Sequence, residues 1–438
     1  MFPNLKYNLS NTIFKIIIFL PIISFFIGFY LDENSAGAGG YDGDIKWIKS
    51  NIKIFLDNDL LTAILHPDFF GNRTPLIYVM QKIFNPFFNN YEIYRFTSFL
   101  ISLIGPIIFY KLLRKKFFNV EKEILFLIAS LIYLSPYYRT SAFWGLNENY
   151  GLITAITSFY FLYKVLNIGH FKIYDLIFLI FFSSLSVYFD LKLAFVPLVS
   201  FLMIIFSQNN LKIKFITFLS YTILSIPYLS LIMFWDGIVP TKTQLANQNT
   251  ITAIEDFSKI YFIHLGYAAT IISFYILPIL LFTGKNPTNN LKKVFHKNET
   301  YIFLLLILLF IFCLFYLFDF EKFTVKDYWI GLGIVHKLSI LITDNLFFRE
   351  IITYIFFFFS FFLIFFFYTL NKIDVIYLVY FFLLSLLLWP LMQEYFDPII
   401  LILVFSLFKS VKYFTKTRAL LIFAYFSIFL SIANFYYN

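Results

Sequence analysis

The chain has 438 residues, of which 60% are hydrophobic and 13% charged, and it carries a net charge of +9. A soluble domain of ordinary composition is about 25% charged, and several uncharged stretches here reach the ~20 apolar residues that cross a hydrocarbon core of ~30 Å. This excludes a soluble enzyme, a disordered regulator and a nucleic-acid-binding domain, and reads as an all-α polytopic membrane protein. One cysteine, Cys313, permits no internal disulfide and no cysteine-based zinc site. The 65 phenylalanines and 32 tyrosines read as lipid-facing filler rather than a stacking surface.

In chain order, hydropathy predicts thirteen spans, near 14–31, 93–110, 124–137, 151–163, 174–189, 193–207, 215–235, 261–282, 301–318, 351–370, 375–390, 398–408 and 419–436. Those at 124–137, 151–163 and 398–408 are short, so they extend into their flanks or sit in a thinned region. The first could be mistaken for a secretory leader, since Lys6 and Lys15 precede it and Ala36-Gly37-Ala38 follows. Its apolar run is long for a leader core of roughly 7–15 residues, and it reads as a retained span.

Loop charge sets the orientation. The N-terminus and the loops 111–123, 164–173, 208–214, 283–300, 371–374 and 409–418 hold 20 of the 34 basic residues and only four acids, Glu121, Glu123, Glu299 and Asp374. The alternate loops hold 20 of the 25 acids. The first set is expected in the cytoplasm, which puts the N-terminus inside and the C-terminus outside. The long loops 32–92, 236–260 and 319–350 are then all external, so function is expected at the outer face of a bacterial inner membrane. No internal repeat and no separate soluble domain is visible, and 1–438 reads as a single integral-membrane domain.

The first outer loop contains Gly39-Gly40-Tyr41-Asp42-Gly43-Asp44-Ile45-Lys46-Trp47-Ile48-Lys49. From Asp44 the apolar residues Ile45, Trp47, Ile48, Ile52, Ile54, Phe55 and Leu56 return at helical spacing, with Lys46, Lys49 and Lys53 largely off that face. The pattern predicts an interfacial helix, with Asp42 or Asp44 at its N-terminus, where exposed N–H groups favour an anion. Arg73 stands two residues before Pro75, which suits a first helical turn.

These features resemble the GT-C superfamily of membrane glycosyltransferases, in its protein mannosyltransferase and aminoarabinose transferase branch. The resemblance rests on Asp42-Gly43-Asp44-Ile45-Lys46-Trp47 and on Pro75-Leu76-Ile77-Tyr78, where the family has Asp-Glu-x-x-Tyr and Pro-Leu-x-Tyr. It departs in having a second aspartate for the usual glutamate and Trp47 for tyrosine. It implies a sugar donor on a polyprenyl phosphate or diphosphate, an acceptor hydroxyl on a glycan, lipid or protein, and one of Asp44 and Asp42, Asp44 narrowly ahead, as the base.

Further polar residues fall at the same rim. Glu148, at the outer start of the fourth span, matches a family acid that would orient the acceptor or a divalent metal, the one cofactor candidate. Asp190 and Lys192 stand between two spans with almost no loop, where isolated charges are costly. Lys192 looks like a lysine that contacts donor phosphate in similar proteins, although Leu191 and Leu193 replace its usual Thr and Gly neighbours. Arg73, Arg139 and Arg349 are further phosphate candidates, and Glu394 with Tyr395 could face acceptor hydroxyls. Glu350 beside Arg349 either serves the phosphate or anchors its helix.

The five histidines, His66, His170, His264, His296 and His336, form no metal-like spacing, and no P-loop, nucleophile elbow or dinucleotide fingerprint occurs. Two rivals stand beside the transferase: an O-antigen polymerase or ligase, which would place its functional loop late in the chain, and a transporter or flippase, which would carry mid-span charges and repeat symmetry.

Overall fold

A computed structural model describes residues 12–36, 43–71, 73–167, 172–207, 210–249, 260–284, 289, 292, 294–295, 298–323, 331–388 and 391–437. Asp42, His170, His296 and Trp389-Pro390 lie outside the described residues. Every regular element among those described is a helix. Seven helices are long and apolar enough to cross a membrane, over Thr12–Tyr30, Tyr91–Lys116, Leu211–Trp235, Ile263–Phe282, Asn298–Leu317, Leu346–Leu370 and Lys416–Tyr437. The chain is an all-α membrane protein. Helices also occupy the other ranges that hydropathy picks out, that at 151–163 running 20 residues over Glu148–Asn167 and the rest shorter.

The chain divides into two compact units, Met1–Thr250 with Phe423–Asn438, and Ile251–Ile422. In the first unit the helices used below are α1 (Leu20–Tyr30), α2 (Asp44–Asp57), α3 (Leu76–Phe84), α4 (Tyr91–Ser102), α5 (Ile104–Lys116), α6 (Pro136–Trp144), α7 (Glu148–Asn167), α8 (Ile173–Phe189), α9 (Leu211–Trp235) and α10 (Thr241–Asn249). The second unit contributes α11 (Ile263–Ile276), α12 (Asn298–Leu317), α13 (Gly333–Ile342), α14 (Leu346–Leu370) and α15 (Lys372–Leu387).

The span expected at 93–110 is interrupted at Leu103, between α4 and α5. Pro106 explains the break, because it has no N–H to give the Ser102 carbonyl four residues back. That carbonyl instead accepts the Tyr138 hydroxyl from α6. Gly105 makes the approach possible, since a Cβ there would come within 2.6 Å of the Tyr138 hydroxyl oxygen.

Lipid is as apolar as leucine, so packing and hydrogen bonds must join these helices. Asn149 of α7 donates through Nδ2 to Ser102 Oγ and to the Tyr138 carbonyl, each at 2.9 Å. The Tyr150 hydroxyl stands 3.0 Å from Ser98 Oγ on α4 and accepts Gln81 Nε2 of α3 at 3.0 Å. Bonds of this kind average ~0.6 kcal/mol each within a bilayer. Here they hold the start of α7, and with it Glu148, against α3, α4 and α6.

Candidate functional site

Helix α2 begins at Asp44, as its apolar spacing predicts, and buries Ile48, Ile52, Ile54 and Phe55 while Lys46, Lys49 and Lys53 face outward. Its inner face also carries Asn51, a polar residue the apolar pattern passes over. Asn51 Nδ2 donates to the Phe70 carbonyl at 2.6 Å and to the Tyr78 hydroxyl at 3.2 Å, and its Oδ1 accepts the Phe70 N–H at 3.2 Å. Trp47 stacks on Phe70 with ring centres 3.8 Å apart. One amide thus fastens α2, the loop before Pro75 and the start of α3 into one piece.

Tyr78 is the meeting point of this piece. Burial pushes its phenol up to about 12; Asn51 and the Arg73 charge oppose that rise, while the Asp44 carboxylate adds to it. Asp44 and Arg73 therefore both lie within electrostatic reach of one hydroxyl. Arg73 in turn forms an ion pair with Glu148 at the first position of α7, the two side chains being 22% and 16% exposed. Ser141 Oγ lies 3.4 Å from the other Glu148 oxygen and accepts the Asn149 N–H at 3.2 Å.

The Asp190–Lys192 junction joins the same neighbourhood. Asp190 Oδ1 accepts the Lys192 N–H at 3.1 Å, and Oδ2 stands 3.6 Å from Lys192 Nζ. The junction packs on the first turn of α7 so closely that a Cβ on Gly151 would come within 3.1 Å of Asp190 Cβ. Thr74, next to Arg73, donates its hydroxyl to the Tyr188 carbonyl at the end of α8. On the other flank, Thr243 of α10 accepts the Gly71 N–H at 2.9 Å, and Lys242 pairs with Asp68 at 2.9 Å. The Arg73 loop is thereby moored to α2, α7, α8 and α10.

Arg139 is placed differently. It is 2% exposed, and its guanidinium is committed to both Glu33 oxygens (Nε to Oε1 at 2.7 Å), to Ser24 Oγ and its carbonyl, and to the Tyr133 carbonyl. It joins α1 to α6 with no donor left for a phosphate. Arg139, expected among the phosphate contacts, thus has its donors engaged within the chain.

Comparison with known proteins finds no matching family model, no matching curated protein and no matching solved structure. What the site can do rests on its own residues.

The remaining expected residues belong to the second unit. Arg349 donates through Nε to the Thr343 carbonyl at 2.6 Å and stands 3.4 Å from Asp344. Glu394 and Tyr395 sit half-buried in a short turn, Gln393–Tyr395, whose Gln393 donates to the Tyr275 hydroxyl at 3.2 Å. In the same unit, His336 buries an Nδ1 with no hydrogen-bond partner among the described residues. Burial first, then Arg349 and Lys337, pulls the His336 imidazole down to about 4. An open apolar pocket of about 490 Å³ is lined by Leu265, Phe303, Phe361, Phe365, Tyr368 and Phe382 among others.

Among the described residues no three His, Cys, Asp or Glu side chains converge as metal ligands. Glu148 faces a cation rather than a second acid, so the described donor set does not fit a divalent metal. No reaction step is routed through one. The participants that spacing alone does not bring out are Asn51, Tyr188 and Thr243. The available hint was polarity out of place: Asn51 breaks an otherwise apolar helical face.

Proposed function

We propose that the protein is an inverting glycosyltransferase of the GT-C kind. It moves a sugar from a polyprenyl-phosphate-type donor to a hydroxyl of a cell-envelope acceptor, at the outer face of a bacterial inner membrane. The reading takes thirteen spans with the N-terminus inside, so that loops 32–92 and 236–260 are external. The observation that carries it is the Arg73–Glu148 ion pair, made by the loop that Asn51 fastens to the helix begun at Asp44. Lys192 is stitched to the same loop through Thr74 and Tyr188.

The chemistry needs each of these types. Asp44 accepts the proton of the acceptor hydroxyl as its oxygen attacks the anomeric carbon. The new C–O bond forms as the bond to the donor phosphate breaks, the bonding pair leaves with the phosphate, and one displacement inverts configuration. Arg73 and Lys192 stabilise the charge that grows on the departing phosphate. Glu148 orients the acceptor hydroxyl.

The test is transfer by detergent-purified protein from a panel of polyprenyl-phosphate sugars to envelope acceptors, with Asp44→Asn, Asp42→Asn and Glu148→Gln beside the parent. Loss of transfer in Asp44→Asn with intact folding names the base. Undiminished transfer in Asp44→Asn and Asp42→Asn moves the chemistry to another carboxylate. No transfer from the whole panel, with no donor binding, favours the transporter reading.

A further inference from the structure

The resting site contains a conflict. The cation assigned to the phosphate and the carboxylate assigned to the acceptor neutralise each other in the Arg73–Glu148 pair. We propose that this pair is a substrate-operated latch: the donor's phosphate takes Arg73, and only then is Glu148 released to engage an acceptor hydroxyl. The inference rests on the transferase reading of the same site and adds to it an obligatory order, donor before acceptor.

Four features make the exchange feasible. Both side chains are partly exposed, so a phosphate reaches Arg73 without unfolding anything. The backbone on each side of Arg73 is anchored, Gly71 to Thr243 and Thr74 to Tyr188, so the side chain can swing while the loop stays. A phosphate oxyanion offers the guanidinium fork at least as good a bidentate partner as a carboxylate. Glu148 keeps a place to rest once released, with Ser141 Oγ 3.4 Å away and the N-terminus of α7 favouring its charge.

The neighbouring cation is arranged in parallel, since Lys192 faces Asp190 at 3.6 Å. Donor binding therefore meets two acid–cation pairs on adjacent elements. A latch of this kind keeps the acceptor-orienting acid occupied until the donor's phosphate has reached Arg73.

The experiment measures binding of sugar-free polyprenyl phosphate to protein in lipid nanodiscs, for the parent, Glu148→Gln, Arg73→Gln and the double variant. Removing the competitor in Glu148→Gln should tighten phosphate binding by about threefold to tenfold, although the same variant loses transfer. Arg73→Gln should weaken it by about tenfold or more, and the double variant should match Arg73→Gln. Glu148→Asp, whose shorter side chain reaches Arg73 less well, is read the same way should Glu148→Gln fold poorly. Unchanged or weaker binding in both Glu148 variants overturns the latch while the transferase reading stands. Absence of binding in the parent, together with absence of transfer, overturns both.

Discussion

Tyr188 of α8 places its hydroxyl in the turn of α9 that contains Pro227: it donates to the Leu224 carbonyl at 2.6 Å and accepts the Tyr228 N–H at 3.2 Å. Leu224 and Tyr228 are the pair that bond to each other in an uninterrupted helix, and a proline one residue earlier opens that turn. The Tyr188 carbonyl, on the same residue, receives Thr74 from the Arg73 loop. One residue therefore couples α9, at its internal proline, to the candidate site.

Tyr188→Phe removes that bridge and leaves two backbone groups short of a partner. A loss of about 1–3 kcal/mol is expected, read as a lower thermal unfolding midpoint in detergent. Transfer should fall with it, because the Thr74 anchor rests on the same turn. A variant as stable and as active as the parent would show that the bridge carries nothing.

Asn51→Ala should cost about 1–3 kcal/mol, since it leaves the Phe70 N–H and carbonyl without their side-chain partner. Asn51→Asp, which turns a buried carboxylate oxygen toward the Phe70 carbonyl, should cost more. The ranking is checked by chemical denaturation of purified protein, followed through Trp47, which stacks on Phe70.

Arg139→Met leaves Glu33, 12% exposed, as a buried unpaired carboxylate. Breaking such a pair costs about 3–5 kcal/mol, enough to lower the yield of folded protein severely. Replacing both partners, Arg139→Met with Glu33→Gln, should recover much of that loss. If Arg139 instead contacted donor phosphate, the single variant would fold normally and lose only donor affinity.

The Asp68–Lys242 contact makes the loop clasp sensitive to acid. Lys242 holds the Asp68 carboxyl below its ordinary value of 3.8, with His66 adding to the effect. The stabilisation is complete above that ordinary value and is lost as pH falls through the lowered one. The protection of amides in 66–71 and 241–245 relative to their intrinsic exchange rates should therefore fall below about pH 3.8, and Lys242→Met should show the lowered protection at neutral pH. A protection factor unchanged with pH would exclude the contact as a clasp.

The membrane character, the helical ranges and the inward face of α2 were legible because each is a local periodicity: Ile48, Ile52 and Phe55 announce their face by spacing alone. Pro75 and Glu148 were legible as helix starts for the same reason. The partnerships were not. Arg139 stood as a phosphate candidate because an arginine at a membrane rim is conspicuous, yet its partner Glu33 lies 106 residues away. Nothing local distinguishes a committed guanidinium from an available one. The interruption at Leu103 was written in Gly105-Pro106, but an apolar window averages over it.

The clasp between Gly71 and Thr243 spans 172 residues, and that separation has a consequence for how the protein is made. The helices of α2 and α3 leave the ribosome long before α10 exists. Until residue 243 has been synthesised and delivered to the side where the Arg73 loop waits, that loop lacks one of its moorings. A nascent chain halted between residues 192 and 243 carries the acids and cations of the site without this last mooring, so the site is completed only after most of the first unit has been made.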